Sequence, residues 1–250
     1  MMGAARGSTP SARTVNAAAG DYAITGDPLE WAAAQTAAQR SWTEFPYYER
    51  RYGTRGWMFT LSDSGWIATL SAMQPAIAEQ RLRWLRELLV TRGMPSFLLE
   101  RHLDILHEEL LLRAPERAAD HSVFAAAAAH FRDERGRVLS ESDFRVEASG
   151  FDAAVRNMAG GVPNMGAVIV GTVADERLGI GGPARSAIAW ASDPTTFSQP
   201  WIAAVIRMSN RLRAPDRGTS DRGLSARGAS ARGASARGTR DRPAPHDGDH

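Results

Sequence analysis

His102, Asp104 and His107 bring two imidazoles and a carboxylate into six consecutive positions, and the step from Asp104 to His107 places a carboxylate and an imidazole on one face of a helix. Helix-borne carboxylate–histidine pairs of this spacing hold metal ions in di-iron bundles, and Glu100 and Glu108 stand close by. Such a centre also needs a second carboxylate-x-x-His pair and two further inward glutamates, and residues 21–210 contain no second pair. Glu100, Arg101, Asp104 and Glu108 lie opposite the Leu99, Leu103, Leu106 and Leu110 stripe, so this polar face is expected to meet water. His102, His121 and His130 offer the alternative chemistry of an axial haem ligand or a general base.

A second constellation is denser. Trp42, Phe45, Tyr47, Tyr48, Tyr52, Trp57, Phe59 and Trp66 are interleaved with Arg50, Arg51 and Arg55. Aromatic rings bury large areas, and guanidinium groups stack on them while gripping carboxylate or phosphate in bidentate fashion. Tyr47, Tyr48, Arg50, Arg51, Tyr52, Arg55 and Trp57 are therefore the expected ligand-binding set, for a small anionic or aromatic ligand or a partner protein. The competing reading is a long connection anchored to the domain by its rings, with arginine at the rim.

Composition removes many other chemistries. The chain has no cysteine and, among its 30 basic side chains, no lysine. Schiff-base and pyridoxal-phosphate chemistry, a lysine-bearing P-loop, thiolate catalysis, cysteine-ligated zinc and disulfides are all excluded. No G-x-S-x-G, H-E-x-x-H or strand-borne G-x-G-x-x-G occurs, and Gly179-Ile180-Gly181-Gly182 reads as a connection between helices. The sequence requires no cofactor. The first twenty residues lack the apolar run of a secretory signal, and no stretch is long and apolar enough to span a bilayer. A reducing cytoplasm and no membrane partner are expected.

The elements that position these residues are marked by proline, which suits the first helical turn because its missing N–H would be unpaired there. Pro28, Pro75, Pro95 and Pro115 each precede a helical pattern, and Asp27 stands ready to cap the first. Ala78, Leu82, Leu85 and Leu89 form one amphipathic stripe, and Gly93 ends that segment. Ser62-Asp63-Ser64 is expected to cap a helix carrying Trp66, Ile67 and Leu70, and Ser140 or Ser142 one that reaches about Met158. Met165–Val173 suits a buried strand as well as a helix; helix is preferred because no second strand-like run exists to pair with it.

The expected fold is all-α, a multi-helix bundle or globin-like helical array of about seven to nine short helices. It spans residues 21–210, between a disordered N-terminal segment 1–20 and a disordered tail 211–250 built on an Arg-Gly-Ser repeat. The tail carries interspersed Asp and no aromatic residue, so nucleic acid is an unfavoured partner despite its arginines. The resulting expectation is a helical binding or regulatory module centred on Tyr47–Trp66. A metal- or haem-binding oxidoreductase is the first alternative, and nucleic-acid association through the tail is the second.

Overall fold

A computed structural model describes residues 10–180 and 186–214. The described residues up to Arg213 belong to one unit, and the disorder expected of residues 1–9 and 215–250 lies outside the described residues. Among the described residues all regular structure is helical apart from one isolated bridge between Ser11 and Ala23. The helices are α1 (Pro28–Glu44), α2 (Tyr47–Thr69), α3 (Pro75–Thr91), α4 (Ser96–Arg113), α5 (Ala118–Gly136), α6 (Glu141–Val155), α7 (Met165–Arg177), α8 (Ala187–Ala191) and α9 (Gln199–Arg213).

Local chemistry sets the boundaries. Asp27 accepts from the Leu29 and Glu30 amides at the start of α1, with Pro28 in the first turn. Ser140 accepts from the Asp143 amide and starts α6. At the end of α3, Gly93 adopts φ 87°, which lets its N–H reach the Val90 carbonyl and the Met94 N–H reach that of Leu89. This paired closure needs a left-handed residue, and glycine supplies it without a Cβ penalty.

Two apolar cores meet along α4. Leu99, Leu103, Leu106 and Leu110 pack with Ala33, Ala37, Leu82, Phe124 and Phe131 from α1, α3 and α5. Leu98, on the other side, joins Phe144, Phe151, Val168, Ile169 and Trp201 from α6, α7 and α9. Met165–Val173, ambiguous in sequence, is helical, and α7 buries nearly every residue over that stretch. A helix apolar all round belongs inside a domain, so α7 forms the centre of the second core.

Three boundaries differ from the sequence expectation. Pro10–Gly20 belong to the packed unit: Ala12 and Ala19 are buried with Ile24, and the Ala12 N–H donates to the Tyr22 carbonyl. At the other end α9 continues past Asn210 to Arg213. The aromatic-rich stretch is a helix, α2, broken at Gly53 (φ 54°), rather than a long connection. Ser62-Asp63-Ser64 consequently lies inside α2, where Ser62 and Ser64 donate to the Phe59 and Thr60 carbonyls instead of capping a helix start. The Gly179–Gly182 connection falls partly on residues 181–185, outside the described residues.

Candidate functional site

The expected binding set divides into rivets and surface. Tyr47 and Tyr48 are buried in the core. The Tyr47 hydroxyl donates to the Gly93 carbonyl at 2.5 Å, that of Tyr52 donates to the Arg92 carbonyl at 3.1 Å, and Arg51 Nη1 donates to Gly93 at 3.1 Å. Carbonyls at a helix C-terminus lack intrahelical partners, and here three side chains of α2 supply donors to the α3–α4 turn. The Arg51 guanidinium also lies 5.6 Å from the Tyr47 ring centre, 5.2 Å from Tyr52 and 5.9 Å from Trp190. Trp57 meets Trp42 edge-on. Arg50 and Arg55 are exposed, and Arg55 lies over Phe59. The arginines thus do not converge on one anion-sized space.

Nor does α4 gather its three candidate ligands. His102 faces the interior, whereas Asp104 pairs with Arg132 at 2.5 Å and His107 is only partly buried. No three histidine, aspartate or glutamate side chains among the described residues are grouped to hold a metal ion. Glu100, expected in water, is 3 % exposed. It accepts from Arg132 at 3.0 Å and from both Nε and Nη2 of Arg135, itself 4 % exposed. The face opposite the leucines is covered by α5, whose arginines supply the neutralising charge a buried carboxylate needs. His121 is buried beside Glu30, and His130 lies in a half-exposed ion-pair group with Glu79 and Glu134.

What α2 does build, with α3 and α4, is a cavity of about 60 Å³. Phe59, Ile67, Leu85, Leu89, Met94, Leu98 and Leu99 make it mostly apolar, with Tyr48, Thr60, Asp63, Ser64 and His102 on its polar side. The space is several times the roughly 10–15 Å³ that a single water needs. Leu89 and Met94 are partly exposed, so the apolar wall includes side chains that reach the surface.

The polar side is wired in one direction. Ser64 Oγ donates to the Thr60 carbonyl at 2.7 Å, so in its 3.0 Å contact with His102 it accepts from Nε2–H. Nδ1 is then the acceptor for the Ser41 hydroxyl at 2.9 Å. Burial drives the His102 pKa down to about 4, so the ring is a neutral hydrogen-bonded post between α1 and α2. Hydrolytic serine–histidine sites have a carboxylate orienting the far ring nitrogen; His102 has a serine there. Thr60 Oγ1 donates to the Gly56 carbonyl and accepts from Trp42 Nε1, both at 3.0 Å.

Asp63 is the charged side chain of the lining. Its Oδ1 accepts from the Tyr22 hydroxyl at 2.8 Å, and burial raises its pKa against the opposing effects of that bond and of Arg92. Tyr22 comes from the packed N-terminal strap, which crosses α2 where the Thr25 amide donates to the Gly65 carbonyl. A Cβ at Gly65 would lie 2.7 Å from the Trp31 ring and 3.2 Å from Ile24, so glycine permits that crossing. The chain matches no family model, no curated protein and no solved structure.

Sequence reasoning missed Tyr22, Thr60, Asp63 and Ser64 as site residues and assigned His102 to a metal. The available signal was the run of hydroxyl and carboxyl groups at Thr60, Ser62, Asp63 and Ser64, which costs helix propensity and must be offset by something those groups contact.

Another carboxyl, the buried Asp175, gives the domain a pH signature. Asp175 of α7 accepts from the Ser96 amide at 2.8 Å and the Ser96 hydroxyl at 2.5 Å, capping α4 from another helix. Burial raises its pKa to about 6, against the pull of Ser96, Arg86 and Arg135. A raised acid binds its proton more readily folded than unfolded, so Asp175 adds stability as pH falls from about 6 toward its ordinary 3.8. His102, with its lowered pKa, does the reverse: its contribution is present above 6.5 and is lost as pH falls through about 4. Asp175→Asn keeps an acceptor for Ser96 but removes the compensation. Between pH 6.5 and 4 the variant should lose up to about 3 kcal/mol more than the parent in denaturant titrations. Parallel pH profiles would show that Asp175 titrates as an ordinary carboxylate.

Proposed function

We propose that the domain is a helical ligand-binding module that holds one small, largely apolar molecule between α2, α3 and α4, in a reducing cytoplasm. The observation that carries this reading is the partly apolar cavity whose polar side is organised by Ser64, His102 and Asp63. Binding sites are characteristically apolar with a few convergent polar groups, and this one has that composition at the smallest scale. The Tyr47, Arg51 and Tyr52 cluster supports the cavity indirectly, because its bonds to the Arg92 and Gly93 carbonyls fix the turn that presents Met94. A haem or metal at His102 is less favoured: the incoming group would displace Ser41 or Ser64, and about 60 Å³ is far below the volume of a porphyrin. Among the described residues no helix is long and apolar enough to cross a membrane.

The test is a ligand-observed NMR screen of small apolar and amphipathic fragments against the full chain and against Leu89→Trp, a partly exposed wall position where a larger ring fills the space. Fragments should bind the parent and be lost from the variant, whose helical circular dichroism is unchanged. Equal binding to both proteins, or no binding to the parent, would overturn the reading.

A further inference from the structure

The polar wall specifies the kind of molecule the cavity takes. On the Thr60–Ser64 turn every hydroxyl proton facing the site is committed: Thr60 gives its proton to Gly56 and Ser64 gives its to Thr60. His102 directs its one N–H at Ser64. What remains on that turn is acceptor capacity. The strongest acceptor is Asp63, whose Oδ1 takes the Tyr22 hydroxyl and whose Oδ2 has no hydrogen-bond partner among the described residues. Arg92 is near enough to lower the Asp63 pKa slightly but makes no ion pair with it. Asp63 is partly exposed on the polar side of the cavity, and its Oδ2 is an open charged acceptor there, to which a cationic donor would make a charge-assisted hydrogen bond.

We propose that the cavity receives a small protonated primary amine, with its ammonium on Asp63 Oδ2 and its hydrocarbon body against Phe59, Leu85, Leu89 and Leu98. This rests on the reading of the cavity as a ligand site and gives that site its chemical class. An anion is disfavoured because Asp63 repels it and no lining residue carries a positive charge. A bare metal ion is disfavoured because the wall offers one carboxylate where hard cations take six or more oxygens. A neutral alcohol satisfies the acceptor geometry but leaves the carboxylate's charge uncompensated. Size follows from the volume: a void of about 150 Å³ encloses benzene, so about 60 Å³ holds roughly two to three heavy atoms, and the end of a short chain extends past the partly exposed Leu89 and Met94.

Three probes of similar length separate charge from shape: n-propylammonium, 1-propanol and propionate, each titrated into the full chain at matched ionic strength and pH 7 and followed by backbone amide NMR. Propylammonium should bind saturably and about tenfold more tightly than propanol, the increment of one charge-assisted hydrogen bond, and propionate more weakly than either. In Asp63→Asn, which can still accept from Tyr22, the amine should fall to the affinity of propanol while propanol is unchanged. Propanol binding as tightly as the amine, or propionate binding as tightly, would overturn the amine class while leaving the cavity reading intact. Absence of all three from the cavity would overturn both. If Asp63→Asn does not fold, the ranking of the three probes on the parent decides the matter.

Discussion

Glu100→Ala should cost the domain about 3–5 kcal/mol, the range expected when one partner of a buried ion pair is removed and the other stays behind. The partner left behind is Arg135, 4 % exposed, with its guanidinium 4.3 Å from the Phe144 ring centre and 5.7 Å from that of Phe97. One hydrogen bond remains to it, from Nη2 to Glu141 at 2.9 Å, while Nη1 has no hydrogen-bond partner even in the parent. Burial raises the Glu100 pKa despite Arg135 and Arg132, so the pair itself adds little net stability; breaking it is what costs. The double change Glu100→Leu with Arg135→Met should therefore recover most of the loss, since a well-packed apolar pair often matches a buried ion pair. Chemical denaturation of the single and double variants checks both statements, and a single-variant loss below about 1 kcal/mol would mean that Arg135 finds water.

Gly166→Ala is the second large effect, and its origin is steric. A Cβ at Gly166 would stand 2.2 Å from the Ala148 carbonyl oxygen, 2.8 Å from its carbon and 2.9 Å from its Cα. These are main-chain atoms of α6, so no side chain can rotate away; α6 and α7 must separate. That also lengthens the bond from the Gly166 amide to Asp152 Oδ1, 2.9 Å in the parent, which caps α7. The loss should reach about 3 kcal/mol, the upper end of overpacking effects. Gly150 is the control: it is exposed on α6, and an added methyl would find nothing within 4 Å, so Gly150→Ala should stabilise by roughly 0.5–1 kcal/mol. Thermal unfolding of the two variants should therefore shift in opposite directions.

Local chemistry made the helices legible. Asp27-Pro28, Ser140, Gly93 and the Ala78, Leu82, Leu85 stripe each do in the structure what their spacing implies, because caps, stops and amphipathic faces depend on neighbours within one or two turns. Met165–Val173 needed an argument from the missing strand partner, which holds because backbone groups of a lone strand would go unpaired. The site was less legible because its meaning depends on distant residues. Glu100 sits on a face that is polar in sequence, yet Arg132 and Arg135, 32 and 35 positions away, turn that face inward. Tyr47 and Arg51 suggested a ligand surface, while their partner is the Gly93 carbonyl, 46 and 42 residues along the chain. Asp63 resembled part of a cap because Ser-Asp-Ser is cap chemistry; the helix passes through it because the break falls earlier, at Gly53.

Whether α2, α3 and α4 form a ligand site between them is tested most directly by amide chemical-shift mapping on the full chain with a binding fragment. The largest perturbations should fall on Phe59–Ile67, Leu85–Leu89 and Met94–His102, with the amide of Ser41 moving through its hydroxyl bond to His102. Perturbations centred instead on Arg51, Trp190 and Asp193, which line a separate open cleft, would contradict the site between α2, α3 and α4 and return the binding role to the arginine–aromatic surface.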